Sequence, residues 1–100
     1  MVISADRFLS DLEMLGAIGW VEGQGMDRAA YSTQYAEARS FVQKRMEEGG
    51  LATWIDGVGN LFGRIEGSEE GAPAIMAGSH LDAVPGGGKY DGPLGVVAAL

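Results

Sequence analysis

The chain has 100 residues, 46% of them hydrophobic, which is enough for one small domain with a core and argues against disorder. Its net charge of −7 argues against nucleic acid as a partner, because phosphate binding needs clustered lysine and arginine. The lack of cysteine excludes disulfides and thiolate zinc sites. The sequence shows neither the basic start and apolar stretch of a secretory signal peptide nor an apolar run of about 20 residues that could span a bilayer. We therefore expect a soluble, cytoplasmic protein with no membrane partner.

The first predicted element is an amphipathic helix over residues 4–18. Its apolar side chains recur at helical spacing, and Ser4 is a suitable N-cap. Charged residues such as Asp11 fall on the opposite side, which we expect to face water. Residues 20–30 follow and carry several glycines and an aspartate, so we predict a loop there.

A second helix is predicted over residues 33–48. Gly49-Gly50 follows it directly and is typical of a helix that stops in a left-handed turn. Two strands are then predicted, over residues 51–55 and 60–65, with a turn at Asp56-Gly57 between them.

The last part of the chain predicts a third strand and a third helix. Residues 74–79 are apolar without alternation, which predicts a strand buried on both faces. Pro93 suits the first turn of a helix over residues 94–100. Because this helix is apolar and about seven residues long, we expect residues 1–100 to be the N-terminal portion of one longer α/β domain. We expect the isolated segment to expose apolar surface and self-associate.

The only histidine in the sequence lies directly after the predicted third strand. His80 offers an imidazole nitrogen, and Asp82 and Asp91 follow it two and eleven residues later. Residues 80 and 82 share one face of an extended segment, so Asp82 can accept a hydrogen bond from the imidazole. The glycines at 86–88 allow the backbone to turn back and bring Asp91 to His80. This combination predicts a metal site of the kind that supports hydrolysis.

Other interpretations of this stretch are weaker or purely structural. A phosphate-binding loop needs glycine where Ala83 stands and serine or threonine where Tyr90 follows Lys89. A histidine after a strand can simply be a hydrogen-bonded polar residue, and Asp91 before a glycine is also an ordinary turn signal.

The segment from Gly78 to Gly95 resembles the metal-site segment of the N-carbamoyl-L-amino-acid hydrolases and allantoate amidohydrolases. These enzymes are a branch of the aminoacylase and carboxypeptidase G superfamily. Further upstream, Arg28-Ala-Ala-Tyr-Ser and Gly59-Asn-Leu-Phe-Gly-Arg resemble the same family in the same order. The similarity extends over roughly residues 8–100, and it is most specific after residue 78.

The resemblance implies the N-terminal part of a zinc-peptidase-like catalytic domain, with a mixed β-sheet flanked by helices. It implies two divalent metal ions, from zinc, manganese, cobalt or nickel. His80 would be a ligand of one ion, Asp91 would bridge both, and Asp82 would join the catalytic machinery as the carboxylate that orients His80. The family's general-base glutamate, its other ligands and its dimerisation domain would lie beyond residue 100, and the parent protein would be a homodimer.

The implied activity is metal-dependent hydrolysis of a linear C–N bond in a small ureido or carbamoyl substrate. N-carbamoyl-L-amino acids and allantoate both fit, and the sequence does not choose between them. Arg28 is a candidate for binding the substrate carboxylate, since a guanidinium binds one bidentately; the alternative is a surface loop arginine. An aminoacylase or dipeptidase of the same superfamily and a non-catalytic binding module are the alternative functions.

Overall fold

The computed structural model describes residues 2–100, which form helices on two small antiparallel sheets. The elements are α1 (Ala5–Ala17), β1 (Trp20–Val21), β2 (Gly25–Arg28), α2 (Thr33–Glu48), β3 (Ala52–Ile55), β4 (Leu61–Arg64), β5 (Ala83–Gly87) and α3 (Pro93–Ala99). One sheet has the order β1-β2-β5, and the other is the β3-β4 hairpin. This confirms the expected combination of helices and sheet, although every pairing among the described strands is antiparallel.

Both long helices begin at serine caps, Ser4 as predicted and Ser32 as an addition from the structure. The Ser4 hydroxyl accepts a hydrogen bond from the backbone N–H of Arg7, and the Ser32 hydroxyl accepts one from the backbone N–H of Tyr35. Each bond satisfies a donor that the first helical turn leaves free. The stop after α2 is also confirmed, with Gly50 in the left-handed region at φ 88°.

A single apolar cluster joins the three helices. It consists of buried side chains from α1, α2, α3 and the segment before β5, namely Leu12, Leu15, Ala38, Val42, Leu81, Val96 and Val97. The prediction that Asp11 faces water is wrong, since it is only 4% exposed. Arg45 of α2 donates to its carboxylate at 2.8 Å, so this buried charge is paired across the two helices.

Two predictions about irregular and extended segments are also wrong. Residues 20–30 contain the β1-β2 hairpin, in which Trp20 pairs with Met26, rather than a loop alone. Residues 74–79 are extended but form no strand, and Ile75 and Met76 are 101% and 84% exposed. A strand exists only where a neighbour takes up its backbone hydrogen bonds, and no described residue does so here. No helix among the described residues has the length and apolar character to span a bilayer.

The predicted turn between β3 and β4 is built around the carboxylate of Asp56. It accepts hydrogen bonds from the backbone N–H groups of Val58 and Asn60 and from the Asn60 side-chain amide, at 2.9–3.0 Å. These bonds, that of the Asn60 side chain foremost, lower the pKa of Asp56.

We therefore expect the stabilisation by Asp56 to depend on pH in one direction. The folded-state pKa lies below the unfolded one, so the contribution is present above the unfolded pKa and is lost as the pH falls through the folded pKa. Asp56→Ala should lower the free energy of unfolding at neutral pH and have little effect in strong acid. Asn60→Ala should move the NMR-titrated pKa of Asp56 back towards its ordinary value. A wild-type Asp56 that titrates at its ordinary pKa would contradict this prediction.

Candidate metal centre

The structure brings His80 and Asp91 together, although eleven positions separate them in sequence. His80 lies at the end of the extended segment before β5, and Asp91 lies in the turn that leads into α3. The Nε2 atom of His80 is 3.1 Å from Oδ1 of Asp91. Both side chains are accessible, with 51% and 82% of their surfaces exposed. The predicted convergence of these two groups is therefore confirmed as a matter of geometry.

The other imidazole nitrogen fixes the tautomer of His80. Its Nδ1 atom lies 2.9 Å from the backbone carbonyl oxygen of Asp82. A carbonyl oxygen only accepts hydrogen bonds, so Nδ1 carries the proton and donates. In the neutral ring, Nε2 then presents a lone pair, which is the form in which histidine binds a metal.

The partner of Nδ1 differs from the one expected from the sequence. Asp82 does face the ring, but its Oδ1 atom is 3.5 Å from Nδ1, farther than its own carbonyl oxygen. The backbone of Asp82 thus makes the closer contact, while the carboxylate adds negative charge beside the ring. The two-residue spacing in the sequence brings residue 82 beside the ring but does not tell whether its carbonyl or its carboxylate is the nearer partner.

The surroundings of His80 favour a positive charge at this position. The hydrogen bond to the Asp82 carbonyl is the main reason that the pKa of His80 is raised, and the carboxylates of Asp82 and Asp91 act in the same direction against partial burial. Without a cation, a neutral Nε2 and the Asp91 carboxylate would be two acceptors facing each other at 3.1 Å. Either a proton or a metal ion between them removes this repulsion.

The donor set fits a divalent transition metal, but it is incomplete within the described residues. Zinc-type ions bind imidazole nitrogen and carboxylate oxygen at roughly 2.0–2.2 Å, which places two ligands on one ion about 3.0–3.4 Å apart. The separation of 3.1 Å between Nε2 and Oδ1 falls in this interval. In residues 2–100 no group of three or more His, Cys, Asp or Glu side chains is arranged to hold a metal. A catalytic ion needs about three protein ligands, so His80 and Asp91 would have to be joined by at least one more.

Gly92 allows the imidazole to lie against the backbone. It is at φ 93°, and a Cβ atom placed on it would lie only 2.7 Å from both Cε1 and Nδ1 of His80. Any side chain would therefore collide with the ring in addition to straining the backbone. The sequence singled out Asp91 and not the glycine after it, whose role becomes visible only in the folded chain.

Lys89 ties the loop that carries Asp91 to the rest of the fold. Its Nζ atom lies 4.3 Å from the centre of the Trp20 ring, and its stem contacts the surface of α1 at Gly16. The attraction of an ammonium group to an indole face anchors the loop between β5 and α3. Nothing in the sequence spacing indicated Lys89 and Trp20 as partners.

An open groove lies beside His80 and Asp82. It has a volume of about 640 Å³ and is bounded by α2, β4, residues 76–82 and α3. This volume lies in the range of small-molecule sites, and Asn60 and Tyr35 contribute polar atoms to its wall.

Arg28 does not lie in this groove. Its side chain is fully buried at the end of β2, and its guanidinium donates to the backbone carbonyls of Leu81, Leu15 and Ile18. The structure therefore corrects the interpretation of Arg28 as a surface loop arginine, since its side chain is fully buried. Binding of the substrate carboxylate by Arg28 stays a prediction.

Comparisons with known proteins identify relatives of this chain. A curated N-carbamoyl-L-amino-acid amidohydrolase from Pseudomonas sp. (strain NS671) is 42% identical over 100 residues, which is 100% of this chain and 24% of the relative. The allantoate amidohydrolase of Bacillus subtilis (strain 168) is 40% identical over 99 residues, 98% of this chain and 24% of the relative. A scan against models of protein families gave no match.

The fold is shared as well. The crystal structure of a hydantoinase/carbamoylase family amidase from Burkholderia ambifaria superposes with a TM-score of 0.91 at 33% sequence identity, covering 96% of this chain and 24% of that one. The chain thus spans about a quarter of the length of the relatives it matches. On sequence and fold together, the chain belongs to the hydantoinase/carbamoylase family of amidohydrolases.

Proposed function

We propose that this chain contributes part of the metal centre of an amidohydrolase that cleaves a linear C–N bond of an N-carbamoyl-L-amino acid or of allantoate. The convergence of His80 and Asp91 at 3.1 Å carries the proposal, since it sets an imidazole lone pair and a carboxylate where one ion can bind both. The names of the relatives, N-carbamoyl-L-amino-acid amidohydrolase and allantoate amidohydrolase, support the substrate class.

Each residue of the site has a distinct task in this proposal. His80 binds one divalent ion through Nε2, because its Nδ1 proton is held by the Asp82 carbonyl. Asp91 would hold the same ion through the oxygen near His80, and as a carboxylate with two oxygens it could also serve a second ion. Asp82 keeps the ring oriented and adds negative charge that strengthens the imidazole as a ligand. Two bound divalent ions would supply Lewis-acid polarisation of the substrate carbonyl and a water of lowered pKa.

The ion can be zinc, manganese, cobalt or nickel, since nitrogen and oxygen ligands suit all four. A general base and further ligands are needed to complete the site, and the described residues contain no group of three or more His, Cys, Asp or Glu side chains arranged to hold a metal. A cytoplasmic location and a homodimeric parent stay predictions of the resemblance.

An assay of the whole protein tests the proposal. The purified protein is stripped with a chelator and given each divalent ion in turn, with an N-carbamoyl-L-amino acid, allantoate, an N-acetyl amino acid or a dipeptide as substrate. We expect metal-dependent ammonia release from one of the first two substrates. Release of a free amino acid without ammonia, from the last two alone, would indicate the aminoacylase or dipeptidase alternative. Metal binding without turnover of any of the four would indicate a binding module.

The two aspartates should differ in how much metal they retain. In the whole protein we expect Asp91→Asn to lose more bound metal than Asp82→Asn, because Asp91 faces Nε2 while the backbone of residue 82 still holds Nδ1 after the substitution. Elemental analysis of metal per chain, after dialysis under identical conditions, measures the difference. Equal metal content in the two variants would contradict the assigned roles.

A further inference from the structure

The guanidinium of Arg28 is buried where an apolar side chain would be less costly. Arg28 is 0% exposed, and it is the largest fully buried side chain among the described residues. Burial lowers its pKa, against the opposing charge of Asp82. Its Nη2 atom finds no hydrogen-bond acceptor among residues 2–100. A charged group with an unmet donor is expensive in an interior, so its retention calls for a task that a neutral residue cannot perform.

Two of the bonds of Arg28 go to the end of α1. Its Nη1 atom donates to the carbonyl of Leu15 at 2.7 Å and to that of Ile18 at 2.9 Å. Carbonyls at the C-terminal end of a helix lack helical partners and carry the negative end of the helix dipole. They offset the buried positive charge and hold one edge of the guanidinium in a fixed place.

The third bond reaches the candidate metal site. The Nε atom donates at 2.7 Å to the carbonyl of Leu81, the residue between His80 and Asp82. Residues 74–82 lie outside any strand, so no sheet ladder holds this stretch. The packing of the Leu81 side chain into the core and the pairing of Ala83 with Arg28 in the sheet also restrain this stretch, and the bond from Arg28 acts directly on the backbone between His80 and Asp82.

We propose that Arg28 is a positioning residue that sets the His80–Asp82 backbone relative to α1 and thereby holds the imidazole at its distance from Asp91. The planar guanidinium spans the two sides because its Nε–H and Nη1–H donors are fixed on different edges of one rigid plane. A lysine ammonium, being a single point, cannot reproduce both contacts. The inference rests on the proposed function insofar as it treats His80 and Asp91 as metal ligands.

The first test is metal affinity in the whole protein. Arg28→Lys and Arg28→Met are compared with Leu12→Ala, which truncates a buried side chain of the apolar cluster but leaves the hydrogen bonds of Arg28 in place. Thermal melts identify a temperature at which all variants are folded, and Mn²⁺ binding is measured there by calorimetry. We expect both Arg28 variants to bind about 10–100-fold more weakly, the range typical of lost orienting partners, and Leu12→Ala to bind as wild type does. Wild-type affinity in folded Arg28→Lys or Arg28→Met, or an equal loss in Leu12→Ala, would overturn the proposal.

A second readout needs no metal. The ¹⁵N chemical shifts of the His80 ring in chelator-treated protein report how fully Nδ1 holds the proton. We expect Arg28→Lys to shift the tautomer population away from Nδ1–H, with Leu12→Ala unchanged. If the wild-type protein binds no Mn²⁺ but Arg28→Lys still shifts the tautomer population, the proposed function is rejected and the positioning role stands. Mn²⁺ binding by the wild type, with unchanged tautomer and affinity in Arg28→Lys, would reject the positioning role alone.

Discussion

His80→Ala should abolish metal-dependent turnover in the whole protein. The substitution removes the imidazole nitrogen that faces Asp91 at 3.1 Å and leaves the carboxylate without its partner. Loss of a residue that only orients a ligand typically costs 10–100-fold in affinity or activity, so loss of the ligand itself should exceed ~100-fold. The measurement is kcat/KM for ammonia release with saturating divalent ion, together with metal content per chain.

The control for this variant is Leu9→Ala, a truncation of an exposed side chain on α1. It should retain wild-type turnover and wild-type metal content. Because half of the His80 side chain is exposed, we expect His80→Ala to melt close to the wild-type temperature, which separates loss of the ligand from loss of the fold. Turnover in His80→Ala at the wild-type rate would contradict a metal role for this residue.

Gly92→Ala should damage the site through shape rather than through a lost ligand. The new Cβ would overlap the backbone carbonyl oxygen of His80 and lie 2.7 Å from two atoms of its ring, so the backbone and the imidazole must both move away from their positions beside Asp91. The residue also has a φ of 93° and a ψ of −62°, a conformation that a side chain rarely adopts. We expect weaker metal binding and lower turnover together with a loss of stability.

Gly50→Ala separates these two effects. Gly50 has nearly the same backbone angle, φ 88°, but a Cβ there would meet nothing within 4 Å. It should lose only the stability that the positive φ costs, measured by denaturant unfolding, and keep wild-type metal affinity. If both variants keep full affinity, the close approach of Gly92 to His80 has no bearing on the site.

The helices were predictable because their signals are local. Ser4 and Ser32 precede runs with helical spacing, and each hydroxyl accepts the bond from the first turn that its position predicts. The turn at Asp56 was predictable for the same reason, since its acceptor and donors lie within four residues of one another.

The three-stranded sheet was not predictable because its pairings are distant and its strands short. Met26 pairs with Gly87 across sixty-one positions, and β1 has two residues. The opposite error concerns residues 74–79, whose apolar composition predicts a strand even though no described segment pairs with them. Hydrophobic pattern indicates what a segment would bury, whereas a strand also needs a neighbour.

The candidate site also combines features that the sequence predicts with features that it does not. The meeting of His80 and Asp91 was predictable because glycines between them let a short loop close, and the residue types suit one ion. The burial of Arg28 was not, since it depends on where the end of α1 and the Leu81 carbonyl meet in the folded chain. Likewise the contact of Nδ1 with a backbone carbonyl of Asp82, in preference to its carboxylate, is decided by the local backbone.

The most direct test of the shared metal site is a crystal structure of the whole protein. The crystals are grown with Mn²⁺ or Zn²⁺, and the bound ion is located by anomalous scattering. The account predicts an ion within about 2.0–2.2 Å of both His80 Nε2 and an Asp91 carboxylate oxygen. An ion bound elsewhere, with His80 and Asp91 still paired to each other at their present distance, would contradict it.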